Sequence, residues 1–430
     1  MPGENRMRVF WRLAYVGWFG ACCVASLFSA KVRRGLAGRR GLIARVAAFK
    51  KKHAPPAHWV HFASSGEFEQ ALPIVAALKA AQPGVPIFLT TFSPSGWRAI
   101  ALEARRLQEQ GEAPPWAAWD YSPLDFPTSV RAFLRTLQPR SVTILNREFW
   151  PEVLHQLKRA GIPTAVFAVF FSENARTKLG WQRAWLSGIS YFGTLDEASR
   201  QVLQKLLPGT RVEVLGDPRV DRVLRRKERA LSRPAPFAFR KPLFVGASLW
   251  APDFEALLGA LWPLREAAWQ VALVPHEPSE SLLRRFEMRL EKEGIQAHRW
   301  SRGAGADAPV LLVDEVGWLA ELYRFADLAL VGGSFKARVH NVLEPAAYGV
   351  PILTGPYIRN SCEAREMNQE HQGLWVCEDA ASVRRLVQKA IDNPEWLRQQ
   401  GLVASAYLER RKGAGERSAR RVLELSPIGA

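Results

Sequence analysis

The stretch "HFASSGEFEQALPIVAALKA", residues 61–80, decides how the chain is read. An apolar run from Trp59 to Ala63 breaks into the small residues Ser64, Ser65 and Gly66, then comes Glu67, then apolar residues at helical spacing. A buried strand that turns so abruptly into a helix belongs to a parallel α/β sheet. Glu67 itself has two readings. A helix N-terminus favours a carboxylate, because its free N–H groups and dipole attract negative charge, so Glu67 can be a plain first-turn acid. The same turn can instead display a base at the mouth of a parallel sheet, where open α/β sheets bind ligands. First-turn acids are common, and this stretch alone favours the first reading.

Working outward, the same alternation of apolar strand and helix fills the chain. Strand candidates in the first half are 58–63, 86–91, 141–145, 163–169 and 211–215; in the second, 242–247, 270–275, 309–314, 326–333 and 350–355. Near-continuous apolar strands separated by helices predict parallel sheets covered on both faces. Between the series lies a charged, then proline-rich segment without a strand, and its composition marks a linker over 222–241. The expected architecture is α/β, with two Rossmann-like domains, 31–221 and 242–395, facing a cleft, and a helical tail over 396–430.

Over 430 residues, Lys plus Arg number 59 against 41 Asp plus Glu, a net charge of +18. This exceeds what solubility requires and predicts an anionic partner. The basic residues are not interleaved with aromatics as in nucleic-acid modules, so no nucleic-acid partner is expected. The four cysteines, Cys22, Cys23, Cys362 and Cys377, have neither zinc-ligand spacing nor a disulfide framework, which fits a reducing compartment. Val9 to Ala30 is mostly apolar, interrupted by Arg12 and followed by Lys31, Arg33, Arg34, Arg39, Arg40, Arg45 and Lys50 to Lys52. Its length suits one membrane crossing or a deep interfacial anchor, so residues 1–30 are expected to form a membrane-anchor helix. The flanking positive charge puts the body on the cytoplasmic side.

Candidate site residues gather in the loops after strands. In the first half they are Ser65, Gly66 and Glu67, then Thr91 and Ser93 with hydroxyls suited to phosphate or sugar, and Glu148 in "NREFWPE". In the second half "GASLW" holds Ser248 and "VPHEP" holds His276. "GGSFKARVHNVLEPAAYG" (332–349) groups Gly333, Ser334, His340, Asn341 and Glu344. Gly332, Gly333 and Ser334 can form an anion nest, and Glu344 can accept from ribose hydroxyls. Each has an ordinary alternative as a turn glycine, a loop histidine or a first-turn acid; their clustering after one strand favours a site. There is no Walker A motif, no G-x-G-x-x-G after the first strand and no metal-ligand cluster, so no metal or other cofactor is expected.

A family resemblance rests on "SSGE", "TTFSPSG", "YSPLDFP" (121–127), "EFWPE" (148–152), "FFSEN" (170–174), "LGDPRVD" (215–221), "AELYRFADLALVGGSF" (320–335) and "HNVLEPAAYGVPILTGPYIRN" (340–360). With these the chain, from about residue 31 to about residue 395, resembles the 3-deoxy-D-manno-octulosonic acid (Kdo) transferases of lipopolysaccharide synthesis. The resemblance implies a GT-B fold, with acceptor binding in the first domain and nucleotide-sugar binding in the second. It implies an N-terminal anchor on the cytoplasmic face of the bacterial inner membrane, against its anionic surface. It implies transfer of Kdo, with inversion, from the CMP-sugar donor CMP-Kdo to a phosphorylated glycolipid acceptor, a lipid A precursor. Glu67 matches the family's catalytic base. Ser248, His276, Gly333, Ser334, His340, Asn341 and Glu344 fall on the donor side, and Ser65, Gly66, Thr91, Ser93, Glu148 and Arg219 on the acceptor side. The chain also departs from the family. Asn146 stands where a further acid is usual, Phe170 and Phe171 begin "FFS" where "RLS" is common, and His276 and Glu277 replace an Arg–His pair. Lost arginines weaken bidentate anion binding, which leaves open a diverged GT-B paralogue with another nucleotide sugar or lipid acceptor, or a non-catalytic lipid- or sugar-binding one.

Overall fold

A computed structural model describes residues 2–171, 182–232, 239, 242–303 and 308–427, with side chains described from Val9 onward. Ser172, Glu173 and Asn174 of the "FFSEN" motif, and most of the 232–241 stretch, lie outside the described residues.

The chain divides into two units, residues 1–222 with 413–430, and residues 223–412. The first holds β1 (His58–Phe62), β2 (Ile87–Thr91), β3 (Ala118–Tyr121), β4 (Ser141–Leu145), β5 (Thr164–Val169), β6 (Tyr191–Thr194) and β7 (Arg211–Val214). They form one parallel sheet in the order β3-β2-β1-β4-β5-β6-β7. β1, β2, β4 and β5 are buried along their whole length, which is why they read as continuous apolar runs. Side chains alternate between two cores. Trp59, Phe88, Val142 and Val166 pack beneath the helices Leu42–Lys52, Pro127–Leu137 and Pro151–Arg159. Val60, Leu89, Leu145 and Phe167 meet the helix Ser65–Ala81 on the opposite face.

The second unit repeats the plan. Its strands are β8 (Leu243–Leu249), β9 (Gln270–Pro275), β10 (His298–Arg299), β11 (Val310–Leu312), β12 (Leu328–Val331), β13 (Ile352–Thr354) and β14 (Leu374–Val376), in the order β10-β11-β9-β8-β12-β13-β14, all parallel. The two Rossmann-like domains expected from the sequence are therefore present.

The segment expected to be a linker begins as a helix, Arg219–Leu231, and the boundary between units falls inside that helix. Its charge is structural: Arg222 pairs with Glu69 at 3.0 Å and Glu103 at 2.9 Å. The helical tail is also not one body. The helix Pro394–Glu409 stays with the second unit, whereas Ala414–Leu425 returns to the first, with Ala419 and Val422 joining its core. The return is fixed by Asp221, whose carboxylate accepts the N–H groups of Gly413 and Gly415. It also needs glycine at 415, where a Cβ would stand 2.6 Å from Pro73 Cβ.

Among the described residues one helical span is long and apolar enough to cross a membrane: Val9–Phe28, 20 residues, mean hydropathy 1.3. The basic run after it is thinner than its count suggests. Arg39 donates to Ser122 O and Phe92 O, with its guanidinium over the rings of Phe92 and Tyr121. Arg45 is tied to Asp120.

Asp221→Ala would leave two part-buried amides without their acceptor. It should lower the unfolding free energy by roughly 2–4 kcal/mol, measured by urea denaturation; an unchanged midpoint would show that Asp221 does not hold the C-terminal helix.

Candidate active site

In the first sheet the strand order reverses between β1 and β4. Such a switch point opens a crevice at the carboxyl ends of the strands, because the chain leaves the two neighbours in opposite directions. The loop carrying Glu67 leaves from β1, and the loop carrying Asn146 and Glu148 leaves from β4. The second sheet has the same feature between β8 and β12. There the loops are those of Ser248–Trp250 and Gly332–His340. The motif-bearing loops of each unit thus converge on its own switch point.

Glu67 is the third residue of the helix Ser65–Ala81, and its carboxylate turns back onto the strand end. Oε2 accepts the N–H of Ala63 at 2.6 Å and of Ser64 at 3.1 Å, a capping box with Ser64. Oε1 accepts a longer bond, 3.4 Å, from the Asn146 side-chain amide. Burial raises the Glu67 pKa, and the three N–H donors oppose the rise. Asn146 supplies its amide from a left-handed backbone, φ +60°, which asparagine tolerates better than most residues. Glu67 is therefore a helix-capping acid and a half-buried carboxylate at the switch point at once, so the two sequence readings describe one geometry.

Glu148 lies beside it. Its carboxyl is pushed up to about 7, first by burial and then by the negative charge of Glu67, with Arg147 and the Trp150 indole N–H acting against the rise. His61, at the end of β1, approaches Glu148 Oε2 at 4.0 Å. It is 3% exposed, its Nδ1 is bonded to Thr90, and its Nε2 has no hydrogen-bond partner. Burial drives its pKa down to about 4, so the ring is neutral at physiological pH. Nothing singled out His61 in the sequence beyond its place in the strand next to the "SSGE" turn.

The other first-unit candidates divide. Ser65 and Gly66 are exposed on the same turn as Glu67. Thr91 is fully buried and donates to Ala63 O at 3.1 Å, so its hydroxyl braces the β1 turn and faces no ligand, contrary to the expectation of a sugar or phosphate contact. Ser93 caps the helix Pro94–Glu109 by accepting from Gly96 N. Arg219 bonds Asp217, which in turn accepts from Gln70 on the Glu67 helix.

In the second unit Asp253 organises the switch point. It stands third in the helix Ala251–Glu266, as Glu67 does in its own. Its Oδ2 accepts Trp250 N at 2.9 Å and Gly333 N at 2.8 Å, and its Oδ1 accepts Phe335 N at 3.1 Å. Gly333 has φ +89°, and a Cβ there would lie 2.4 Å from Arg338 O, so only glycine fits. The anion-nest expectation fails at this loop: Gly332 N donates to Ala247 O and Gly333 N to Asp253. Ser334 is likewise turned inward, with its hydroxyl bonded to Thr354 and accepting from Gly355 N. What the loop offers an anion is instead the exposed pair Lys336 and Arg338. Asp253 had a legible signal, an acid three residues past the helix-capping position Trp250, as Glu67 is past Ser64 in "SSGE".

His276 and His340 are stacked, ring centroids 4.1 Å apart. Trp250 Nε1–H donates to His340 Nε2 at 3.0 Å, and Lys336 Nζ sits 3.4 Å from the Trp250 ring centroid. Burial, then electrostatic repulsion from His276 and Arg338, lowers His340 to about 4; it is a neutral acceptor already engaged by Trp250. Asn341 caps its own turn by accepting Leu343 N, and Glu344 pairs with Arg226 at 2.7 Å. Ser248 has φ +52°, a strained backbone for serine at this strand end. Among the described residues no group of three His, Cys, Asp or Glu side chains converges as a metal site.

Residues 35–222 match the family model of 3-deoxy-D-manno-octulosonic-acid transferase (kdotransferase). A 3-deoxy-D-manno-octulosonic acid transferase of Haemophilus influenzae is 28% identical, over 95% of this chain and 97% of its own. One from Bordetella pertussis is 31% identical, over 71% of this chain and 72% of its own. In fold alone, the UDP-GlcNAc 2-epimerase of Neisseria meningitidis is similar with TM-score 0.59 at 12% identity, over 86% of this chain and 99% of its own. A glycosyltransferase from Rickettsia africae gives 0.57 at 10%, over 87% and 100%.

Glu148 is a raised-pKa acid, so the sign of its linkage is fixed. The folded state binds its proton more tightly than the unfolded state. Its favourable contribution is complete below the unfolded value and is lost as pH rises through about 7. Glu148→Gln should therefore match wild type in stability near pH 4 and exceed it above pH 7 by on the order of 2 kcal/mol. Denaturation curves across pH check this; a constant difference would place the Glu148 carboxyl at its ordinary value.

Proposed function

The chain belongs to the 3-deoxy-D-manno-octulosonic acid transferase family, and from that membership we propose that it moves Kdo from CMP-Kdo, with inversion, to a phosphorylated lipid A precursor at the cytoplasmic face of the inner membrane. The observation that carries the reading is the Glu67 carboxylate at the first switch point, beside a second carboxyl of displaced pKa. Two carboxyls whose environments separate their pKa values supply a base and a protonated partner at one pH. Burial raises both carboxyls, and Glu148, pushed up to about 7 with the charge of Glu67 among the causes, holds a proton for much of the time near neutrality.

In the proposed reaction the acceptor hydroxyl oxygen bonds to the anomeric carbon of Kdo while its proton passes to Glu67 Oε1. That oxygen carries only the long bond from Asn146, whereas Oε2 is held by two amides. The bond from the anomeric carbon to the phosphate oxygen of CMP breaks, and its electron pair leaves with CMP. The nucleotide is assigned to the second unit, on the loops of Ser248, His276, Gly333, His340, Asn341 and Glu344. Lys336 and Arg338 are the cations there that can meet the leaving phosphate, whose growing charge a preorganised site stabilises.

One observation favours a second reading. His340 is engaged by Trp250 and Glu344 by Arg226, so a different nucleotide sugar is the alternative donor. Titration with CMP, CDP, UMP and UDP separates the two: a clear CMP preference supports CMP-Kdo, and preference for a uridine nucleotide supports the alternative.

Glu67→Gln keeps the reach of the side chain but cannot take the proton. Transfer from CMP-Kdo should slow by about a hundredfold or more, with CMP affinity unchanged by calorimetry. Normal turnover together with a small loss of stability would leave Glu67 as a capping residue only.

A further inference from the structure

The first unit contains a cavity of about 530 Å³ that neither the switch point nor its loops enter. It lies at the N-terminal end of the helix Pro127–Leu137 and is lined by Arg12, Phe126, Thr128, Arg131, His155 and Arg159 among others, with no carboxylate in its lining. Arg12 is balanced by Glu152, which it grips with Nε at 3.0 Å and Nη2 at 2.9 Å. Arg131 and Arg159 form no ion pair among the described residues, and both are exposed. The cavity is therefore lined by two guanidinium groups without an ion pair, the chemistry that recognises phosphate, with Arg131 Nε steadied by Pro127 O at 3.0 Å.

Arg12 belongs to the apolar N-terminal helix, and the contacts of that helix say what lies beside the cavity. Trp11 Nε1–H donates to Asp125 Oδ2 at 2.9 Å, Tyr15 Oη accepts Asp125 N at 3.1 Å, and Tyr15 is 3% exposed. Glu152 is wholly buried. This face is pinned to the body, while Phe10 and Leu13 stand 67% and 68% exposed, with Val9 and Val16 also open. Drawing Val9–Phe28 across a bilayer would strip Arg12 from Glu152, stranding one buried carboxylate and placing a guanidinium in hydrocarbon, both costly. A helix with one face bonded to its own domain and an apolar opposite face suits the plane of the interface.

We propose that this cavity seats the phosphodiester headgroup of an anionic lipid, with the N-terminal helix lying along the membrane surface instead of crossing it. The occupant is lipid phosphate because Arg12 of the cavity wall lies on the side of its helix that carries the exposed Val9, Leu13 and Val16: acyl chains meet these residues while the headgroup reaches Arg131 and Arg159. The inference rests on the membrane placement proposed above and deepens it by naming the lipid chemistry and the residues.

The test uses the full chain in flotation with phosphatidylcholine vesicles, with and without phosphatidylglycerol. The double variant Arg131→Gln/Arg159→Gln is compared with Arg384→Gln/Arg385→Gln, which removes the same charge from the exposed face of the helix Ala380–Asp392 in the second unit. The cavity variant should lose about tenfold or more of its affinity for phosphatidylglycerol vesicles, the control far less, and binding to pure phosphatidylcholine should be unchanged in both. Equal losses in the two double variants would reduce the site to diffuse charge and overturn the proposal. So would a cavity variant that loses phosphate-dependent thermal stabilisation but keeps vesicle binding, because the site would then take free phosphate. Alkaline carbonate should strip the protein from membranes; retention in the membrane pellet would mean that the helix crosses, which overturns the lying helix. Transfer to detergent-dispersed acceptor should equal wild type in the cavity variant, so failure of the catalytic reading is seen apart from failure of this one.

Discussion

Each sheet must end its central strand and start a helix within a few residues, and the amide groups exposed by that turn need acceptors. Water is partly excluded there, so leaving such N–H groups unbonded is costly. Both units meet the constraint with a carboxylate at the third helical position. Glu67 takes Ala63 and Ser64; Asp253 takes Trp250, and also Gly333 and Phe335 from the neighbouring loop. The rest of the site hangs on these two side chains, since they fix where the neighbouring loops leave the sheet.

The constraint has a chemical consequence. A carboxylate that stitches a switch point is half-buried at the place where a parallel sheet opens to ligands, and burial makes it a stronger base. In the first unit a second carboxyl, Glu148, sits close enough for the pair to divide their pKa values, and the neutral ring of His61 stands behind it. In the second unit the carboxylate serves the backbone alone, and the groups facing outward are imidazole, indole and lysine. One structural device thus leaves a half-buried carboxylate of raised pKa in one unit and a cationic, aromatic rim in the other.

Much of this was legible in the sequence because buried parallel strands must be apolar on both faces. The central strands, β1, β4, β5, β8, β9 and β12, stood out for that reason. β3 (AWDY), β10 (HR) and β14 (LWV) did not, being short and at sheet edges, although the equally short edge strand β7 was read at 211–215 from its alternation. β6 (YFGT) is buried yet only four residues long, too short for a period to register. Glu67 could be placed from its spacing, and the acid at Asp253 repeats that spacing without the small residues that drew attention to the first. The inward turn of Thr91 and Ser334 and the satisfied amides of Gly332 and Gly333 were not legible. Which partner a hydroxyl or an amide takes is a tertiary fact, set by the approach of Ala63, Thr354 and Asp253. The C-terminal helix was read as helical, but its return to the first unit depends on a clearance at Gly415 and on Asp221, neither of which has a periodic signature.

Everything proposed at the first switch point turns on two neighbouring carboxyls, both raised by burial, of which Glu148 is pushed up to about 7. Carbon-13 NMR of glutamate-labelled protein, titrated in wild type and in Glu148→Gln for assignment, reads this directly. One carboxyl step near pH 7 is expected in wild type and missing from the variant, with Glu67 titrating below it. If no glutamate that Glu148→Gln removes titrates above the ordinary carboxylate range, the pair is not divided, and the assignment of Glu67 as base loses its physical support.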